Sequence, residues 1–127
     1  MKGRVDESGR AIIEVTIAAS TDGPCHVIET WIDTGFTGDL VVPRNIVDRL
    51  ALRQTGTIDG ILADGTQVLL ETYHCEIQWF GKCRSLEVIA NDGEMPLLGI
   101  GMLLAKELRI DYTNLTLSLT PSPRNET

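Results

Sequence analysis

Apolar and polar residues alternate over most of this chain, which is typical of β-strands with one buried face. In residues 11–19, AIIEVTIAA, the side chains of Ile13, Val15 and Ile17 fall on one face and Glu14 falls on the other. Further strands are expected at residues 26–32, 39–43, 55–62, 66–79, 83–90, 108–112 and 115–119. The pattern therefore predicts an all-β domain.

Two short segments space their apolar residues as a helix does. The first, PRNIVDRLAL at residues 43–52, begins with Pro43, a residue favoured at the first helical position. The second is MLLAKEL at residues 102–108. We therefore expect two short helices among the strands.

Composition and charge narrow the choice of partners. The chain has 127 residues and a net charge of −7, which fits one domain and disfavours nucleic acid or an anionic membrane as partner. No apolar run approaches the roughly 18 residues of a membrane span. The first ten residues, MKGRVDESGR, are polar and do not resemble a secretory signal. We therefore expect a cytoplasmic protein.

The sequence predicts neither a metal site nor a cofactor. Its three cysteines lack the paired spacing of structural zinc sites and are expected to be free thiols in a reducing compartment. Asp-Gly occurs four times, but the spacing fits no EF-hand loop, and this dipeptide favours hairpin turns.

The strongest candidate for chemistry is Asp33. An apolar strand ends at Trp31-Ile32, and Asp33-Thr34-Gly35 follows before the chain returns as LVVP. Asp-Thr-Gly is compatible with an ordinary turn. It would equally present a carboxylate at the end of a strand, with a glycine that lets backbone approach closely.

The order of three motifs resembles the retropepsin-like aspartic proteases. Their first signature is matched by Ile32-Asp33-Thr34-Gly35, and their second by Leu97-Leu98-Gly99 with a short helix after it. Between the two, residues 59–70, DGILADGTQVLL, match the flap, a glycine-bearing hairpin that closes over substrate. The resemblance covers about residues 11–119 and implies a retropepsin-like acid protease barrel with a flap hairpin.

The resemblance also implies a function and a set of site residues. The expected activity is that of an aspartic endopeptidase, in which two aspartates share one proton and activate a water. Since only one Asp-Thr-Gly is present, the second aspartate is expected from a copy of the chain in a homodimer. The other acids considered, which lack the Thr-Gly sequel, are Asp59, Asp64, Asp92 and Asp111. The implied site comprises Asp33, Thr34 and Gly35 as catalytic residues, and Ile61, Leu62, Asp64, Gly65 and Leu97 as substrate-binding residues.

Some features depart from the retroviral members of that family. Phe36 stands where those enzymes usually have alanine. Residues 1–10 are expected to be a polar segment that forms a poor strand, and residues 120–127 a flexible tail. Residues 115–119, LTLSL, are expected to have an apolar face at Leu115, Leu117 and Leu119 that could pair with its copy.

Two other functions are compatible with the sequence. One is a retropepsin-like domain that no longer cleaves and serves as a dimerisation or peptide-binding module. The other is a small β-barrel binding module of unrelated type, which would leave the order of the three motifs a coincidence. The intact Asp33 favours the protease.

Overall fold

Ten strands and two short helices form the fold in a computed structural model, which describes residues 1–123. The strands are β1 (Lys2–Val5), β2 (Ala11–Ala18), β3 (His26–Ile32), β4 (Leu40–Pro43), β5 (Gln54–Ile61), β6 (Gln67–Trp79), β7 (Lys82–Asn91), β8 (Leu97–Leu98), β9 (Lys106–Asp111) and β10 (Thr116–Pro121). The helices are α1 (Arg44–Arg49) and α2 (Ile100–Leu103). The predicted all-β class is confirmed.

Six of the strands close into a barrel in the order β6, β7, β4, β8, β3 and β2. Closure depends on β2, because β6 pairs with one end of it, at residues 16–18. The other end, at residues 11–12, pairs with β1. A single edge of β2 thus serves two neighbours, and the same sheet continues beyond the barrel into β1, β10 and β9.

The alternation of apolar and polar residues in β2 matches the alternating direction of its side chains. Ile13, Val15 and Ile17 are buried inside the barrel, whereas Glu14 is exposed. The inward residues of the other barrel strands complete this core, and Val47 of α1 and Met102 of α2 are buried with them. Because apolar side chains stabilise a fold in proportion to the area they remove from water, this interior is the main source of stability.

The N-terminal residues form a strand, contrary to our expectation. Lys2–Val5 pairs antiparallel with both β10 and β2. Gly3 lies so close to β2 that a side-chain Cβ would stand 2.2 Å from the carbonyl oxygen of Ile12. The short polar segment thus gains its hydrogen bonds and close packing from neighbours distant in sequence, which local strand propensity does not report.

The last two strands form the hairpin that the alternation predicts. The carboxylate of Asp111 accepts the backbone N–H groups of Thr113 and Asn114 at 2.9 and 3.0 Å and so stabilises the turn. Leu117 and Leu119 are buried, but Leu115 has a positive φ of 58° and is half exposed, so its predicted place on the apolar face is wrong.

Both edges of β10 are occupied within the chain, by β1 and by β9. The expectation that LTLSL could pair with its copy is therefore wrong. Thr120 and Pro121, which we assigned to a flexible tail, belong to β10. The end of that predicted tail, residues 124–127, lies outside the described residues.

Both helices are shorter than predicted. Pro43 ends β4 and precedes α1, which stops at Arg49. The second helix begins at Ile100 and ends at Leu103, because Leu104 is extended and Ala105 has a positive φ of 59°. Lys106, placed by the pattern in this helix, starts β9 instead. Over the described residues, no helix has the length and apolar character needed to cross a membrane.

Candidate active site

Asp33 lies directly after β3, in the loop that joins β3 to β4. Its backbone N–H donates to the carbonyl of Leu98 at 2.9 Å, which extends the β3–β8 pairing by one residue. The side chain of Ile32 is buried, while the Asp33 side chain is half-buried at the edge of the barrel. A rigid strand therefore presents the carboxylate at the protein surface.

Two backbone N–H groups of the loop donate hydrogen bonds back to Asp33, one of them to its carboxylate. The backbone N–H of Gly35 donates to Asp33 Oδ1 at 2.9 Å, and the N–H of Phe36 donates to the Asp33 carbonyl at 3.1 Å. A Cβ at position 35 would lie 3.1 Å from Asp33 Oδ1, which is tighter than most such contacts. Thr34, between Asp33 and Gly35 in the sequence, is exposed.

The short strand β8 forms the base of this loop. It lies between β3 and β4, parallel to β3 and antiparallel to β4. Leu98 is fully buried, and Leu97 is half-buried opposite Trp31 and Val41. The two motifs that sequence analysis identified, Asp-Thr-Gly and Leu-Leu-Gly, therefore meet in space.

A set of backbone hydrogen bonds joins the start of α2 to the loop after Asp33. The N–H of Gly99 donates to Asp39 at 2.9 Å, that of Ile100 to Phe36 at 2.8 Å, and that of Gly101 to Gly38 at 2.9 Å, each accepted by a carbonyl. The loop is thereby held over nearly its whole length by the chain that follows Leu98.

Gly101 and Phe36 take part in the contact between α2 and the loop after Asp33. The sequence analysis predicted neither role. A Cβ on Gly99 would stand 2.2 Å from the carbonyl oxygen of Gly38 and 2.4 Å from the Phe36 ring. A Cβ on Gly101 would stand 2.1 Å from a carboxylate oxygen of Asp39. The Phe36 ring thus fills the space beside Gly99 and beside Gly38, where a Cβ would stand 2.5 Å from it. The Gly-Ile-Gly pattern at residues 99–101 was the sequence signal for the close approach of α2.

We expect Gly99→Ala to destabilise the protein by about 2–4 kcal/mol, because the methyl group collides with backbone that cannot move without displacing the Asp33 loop. Gly56→Ala is the matched control, since its methyl group would meet only the Thr72 hydroxyl, at 3.7 Å. Denaturant unfolding of the two variants measures the difference. Equal free energies of unfolding would show that the contact at Gly99 is not tight.

The predicted flap is a hairpin of β5 and the first half of β6 that extends from the barrel. At its tip, the N–H of Gly65 donates to Leu62 at 2.9 Å, and the N–H of Thr66 donates to the Asp64 carboxylate at 2.9 Å. Gly65 has a positive φ of 85°, which suits glycine. Ile61 is 74% exposed and Leu62 is 49% exposed, so the tip carries apolar side chains that the chain itself does not cover.

The base of the flap is joined to α1 by a small polar cluster. The Tyr73 hydroxyl donates to Glu71 at 2.5 Å, and Arg44 of α1 lies 3.3 Å from the same carboxylate. The hydrogen bond from Tyr73, followed by the charge of Arg44, lowers the pKa of Glu71. The base is thus anchored while the tip is free.

Four other acids, Asp59, Asp64, Asp92 and Asp111, lie away from Asp33 and have structural roles or are solvated. The side chains of Asp64 and Asp111 accept backbone N–H groups in turns. Asp59 is exposed on β5, and the side chain of Asp92 is 95% exposed. None of the four lies in a loop like that of Asp33.

Metal binding and cysteine chemistry are the other kinds of site considered for residues 1–123. This part of the chain holds no group of three or more His, Cys, Asp or Glu residues suited to a metal ion. Cys25, Cys75 and Cys83 are free, and burial raises the pKa of the Cys75 thiol to about 12, so it does not act as a nucleophile at neutral pH.

One groove of the described surface lies away from Asp33. It is a groove of about 760 Å³ over β1, β9 and β10, lined by Lys2, Arg109 and Tyr112 among others. Asp33 is half-buried, and Thr34 and Gly35 beside it are exposed, so the Asp33 loop is open to solvent in the single chain.

Comparison with solved structures gives a retropepsin-like fold. The chain is similar to a retropepsin-like aspartic protease from Rickettsia conorii, with 18% identity, a TM-score of 0.65, and 96% of this chain and 89% of that one covered. It is also similar to EIAV protease complexed with the inhibitor HBY-793, with 20% identity, a TM-score of 0.54, and coverage of 77% and 88%. No protein-family model matches the sequence, and no curated protein does.

Proposed function

We propose that this protein is an aspartic endopeptidase that is active as a homodimer, with Asp33 of each protomer forming the catalytic pair. The observation that carries the proposal is the placement of Asp33. It follows β3 in a loop held by Leu98 and α2, within a retropepsin-like fold. One chain has a single carboxylate in this setting, so a second protomer supplies the other.

The proposed mechanism follows from two carboxylates placed close together. Both cannot ionise at low cost, so they share one proton, as in aspartic proteases generally. The ionised carboxylate accepts a proton from a water, and that water attacks the peptide carbonyl. The protonated carboxylate donates to the carbonyl oxygen, and the tetrahedral intermediate then collapses with transfer of a proton to the leaving amine.

The remaining site residues have supporting roles in this proposal. Thr34 hydrogen-bonds across the dimer and holds the two loops in register, while Gly35 offers backbone close to the substrate. At the flap tip, Asp64 and Gly65 form the turn that carries Ile61 and Leu62. Burial of those two exposed side chains against a bound peptide would release water and favour closure.

The solvent-exposed loop that carries Asp33 supports a site shared between protomers. Leu97 is half-buried beside β3 and would line one side-chain pocket of the cleft. A second protomer would supply the opposite wall and the second flap, and so create a peptide-sized cleft. We place the enzyme in the cytoplasm, since its three free thiols suit a reducing compartment.

The direct test is incubation of the purified protein with a mixed peptide library, followed by identification of cleaved bonds by mass spectrometry. Cleavage within peptides, lost in Asp33→Asn, supports the endopeptidase. Intact peptides across acidic and neutral pH, at concentrations where the protein is dimeric, would oppose it.

We expect activity to be highest on the acid side of neutral and to fall at both extremes, because the pair must hold one proton. A peptide with a central hydroxyl group in place of the scissile carbonyl should bind more tightly than the matching substrate, since it imitates the tetrahedral intermediate. Initial rates across pH and competitive inhibition measure the two effects. A rate that stays level up to pH 9 would contradict a shared proton.

A further inference from the structure

The flap leaves the barrel at a defined point of β6. Within residues 1–123, β5 pairs with β6 alone, and β7 pairs with β6 only from Thr72 onward, where Thr72 lies opposite Ile89. The part of β6 before Thr72, from Gln67 to Glu71, is therefore paired only with β5 in the described residues. A two-stranded hairpin is marginally stable by itself in water, so contacts at this point decide how firmly the flap is held.

Glu71 is the first flap residue beyond that point, and its carboxylate is held from two sides. The hydroxyl of Tyr73 donates to Glu71 Oε2 at 2.5 Å, and Tyr73 itself is buried in the core. On the other side, Nη1 of Arg44 lies 3.3 Å from Glu71 Oε1. In the part of the chain that the structure describes, this is the only ion pair that joins residues 55–71 to the rest of the protein.

Arg44 itself starts from a fixed position. It follows Pro43, the last residue of β4, which pairs with Asn91 of β7. Its Nε also lies 3.6 Å from Oδ1 of Asp92, in the segment that leads from β7 to β8. The charge of Glu71, followed by that of Asp92, raises the pKa of Arg44. One guanidinium group thus links the flap to β4 and to the segment that precedes β8.

We propose that Arg44 is a positioning residue for the flap, which it holds at Glu71 and so limits how far the hairpin swings away from the barrel. The inference rests on the proposed function only for its effect on substrate binding. A planar guanidinium suits this role, because its nitrogens can contact two carboxylates at once.

The contact persists under the conditions in which we expect activity. The hydrogen bond from Tyr73, followed by the charge of Arg44, lowers the pKa of Glu71. A carboxylate with a lowered pKa stays ionised as the pH falls, and it loses its charge only below its ordinary range. Glu71 therefore keeps its attraction to Arg44 on the acid side of neutral.

Loss of this contact should change substrate binding more than chemistry. A hairpin released at Glu71 spends more time away from the barrel, and the apparent affinity for a peptide falls with the fraction of flap in the competent position. Saturating substrate restores that position, so kcat changes little. The effect is modest, about two- to fivefold, because Arg44 and Glu71 are partly exposed to water.

The first measurement is hydrogen exchange by mass spectrometry on the protein without substrate. Arg44→Met and Glu71→Gln should each speed exchange of the amides of residues 55–70 about two- to fivefold, with residues 11–18 of β2 unchanged. The double variant should be no faster than either single one, since both remove the same contact. Arg44→Lys, which keeps the charge, should stay closer to wild type than Arg44→Met.

The second measurement is the kinetics of cleavage of one library peptide. Arg44→Met should raise KM about two- to fivefold and leave kcat within about twofold of wild type. Arg49→Met is the matched control, because it makes the same change at an exposed residue of the same helix and Arg49 has no ion pair within residues 1–123.

The outcomes separate this role from the proposed activity. Unchanged flap exchange in the two single variants, additive effects in the double variant, or equal acceleration in Arg49→Met would each overturn the role of Arg44. Faster flap exchange with an unchanged KM would show that the contact does not position the flap for substrate. The expected exchange pattern, with no cleavage by wild type, would support the contact and oppose the protease.

Discussion

Asp33→Asn should abolish peptide cleavage, with a rate loss of about a thousandfold or more, while the fold and the dimer persist. The amide is nearly the same size as the carboxylate and can still accept the N–H of Gly35 that now donates at 2.9 Å. It cannot take a proton from water, and general acid–base catalysis alone contributes about 10²–10⁴-fold to a rate. In the homodimer both members of the pair are lost at once.

The measurement is the rate of cleavage of one peptide taken from the library, with circular dichroism and sedimentation as checks on fold and dimer. Asp22→Asn is the matched control, because it makes the same change at an exposed turn residue. Cleavage retained by purified Asp33→Asn would remove Asp33 from the mechanism. A wild type that binds peptides with no cleavage would favour the non-catalytic module.

Adding an excess of Asp33→Asn chains should suppress wild-type activity far beyond simple dilution. If subunits exchange freely, a ninefold excess of the variant leaves about one wild-type chain in ten paired with another wild-type chain. The remaining wild-type chains enter heterodimers with a single aspartate. Activity per wild-type chain should therefore fall about tenfold, and native mass spectrometry should show the heterodimers that account for it.

Dilution of the wild type should produce a related loss. Below the dimer dissociation constant, activity per chain falls in proportion to concentration, because the dimer fraction does so.

The control for the mixing experiment is an equal excess of Asp22→Asn, which forms fully competent heterodimers with the wild type. Activity per wild-type chain that survives both mixing and dilution to monomer would place the second acid within one chain.

The local patterns of this sequence predicted most of the fold. The alternation of β2 identified its inward residues Ile13, Val15 and Ile17. The chain segments that carry the Asp-Thr-Gly and Leu-Leu-Gly motifs, whose order the sequence analysis singled out, are paired in the structure. Helix ends were less predictable. The apolar residues after Gly99 have helical spacing, but Ala105 takes a positive φ and the chain becomes a strand at Lys106.

The N-terminal strand shows why some elements could not be read from local sequence. Lys2–Val5 has little strand character by itself, and it forms a strand because β2 and β10 offer free edges on either side. The role of Phe36 was equally hidden, since it depends on how closely α2 approaches the Asp33 loop.

By itself the sequence determined the strand periodicity, the burial of one face, and the single carboxylate at the end of β3. These depend on neighbours within a few residues, so composition and spacing carry them. Tertiary structure alone decided barrel closure through β2, the use of both edges of β10, and the free edge of β9. Strand partners are chosen among distant segments by hydrogen bonding and packing that no local window contains.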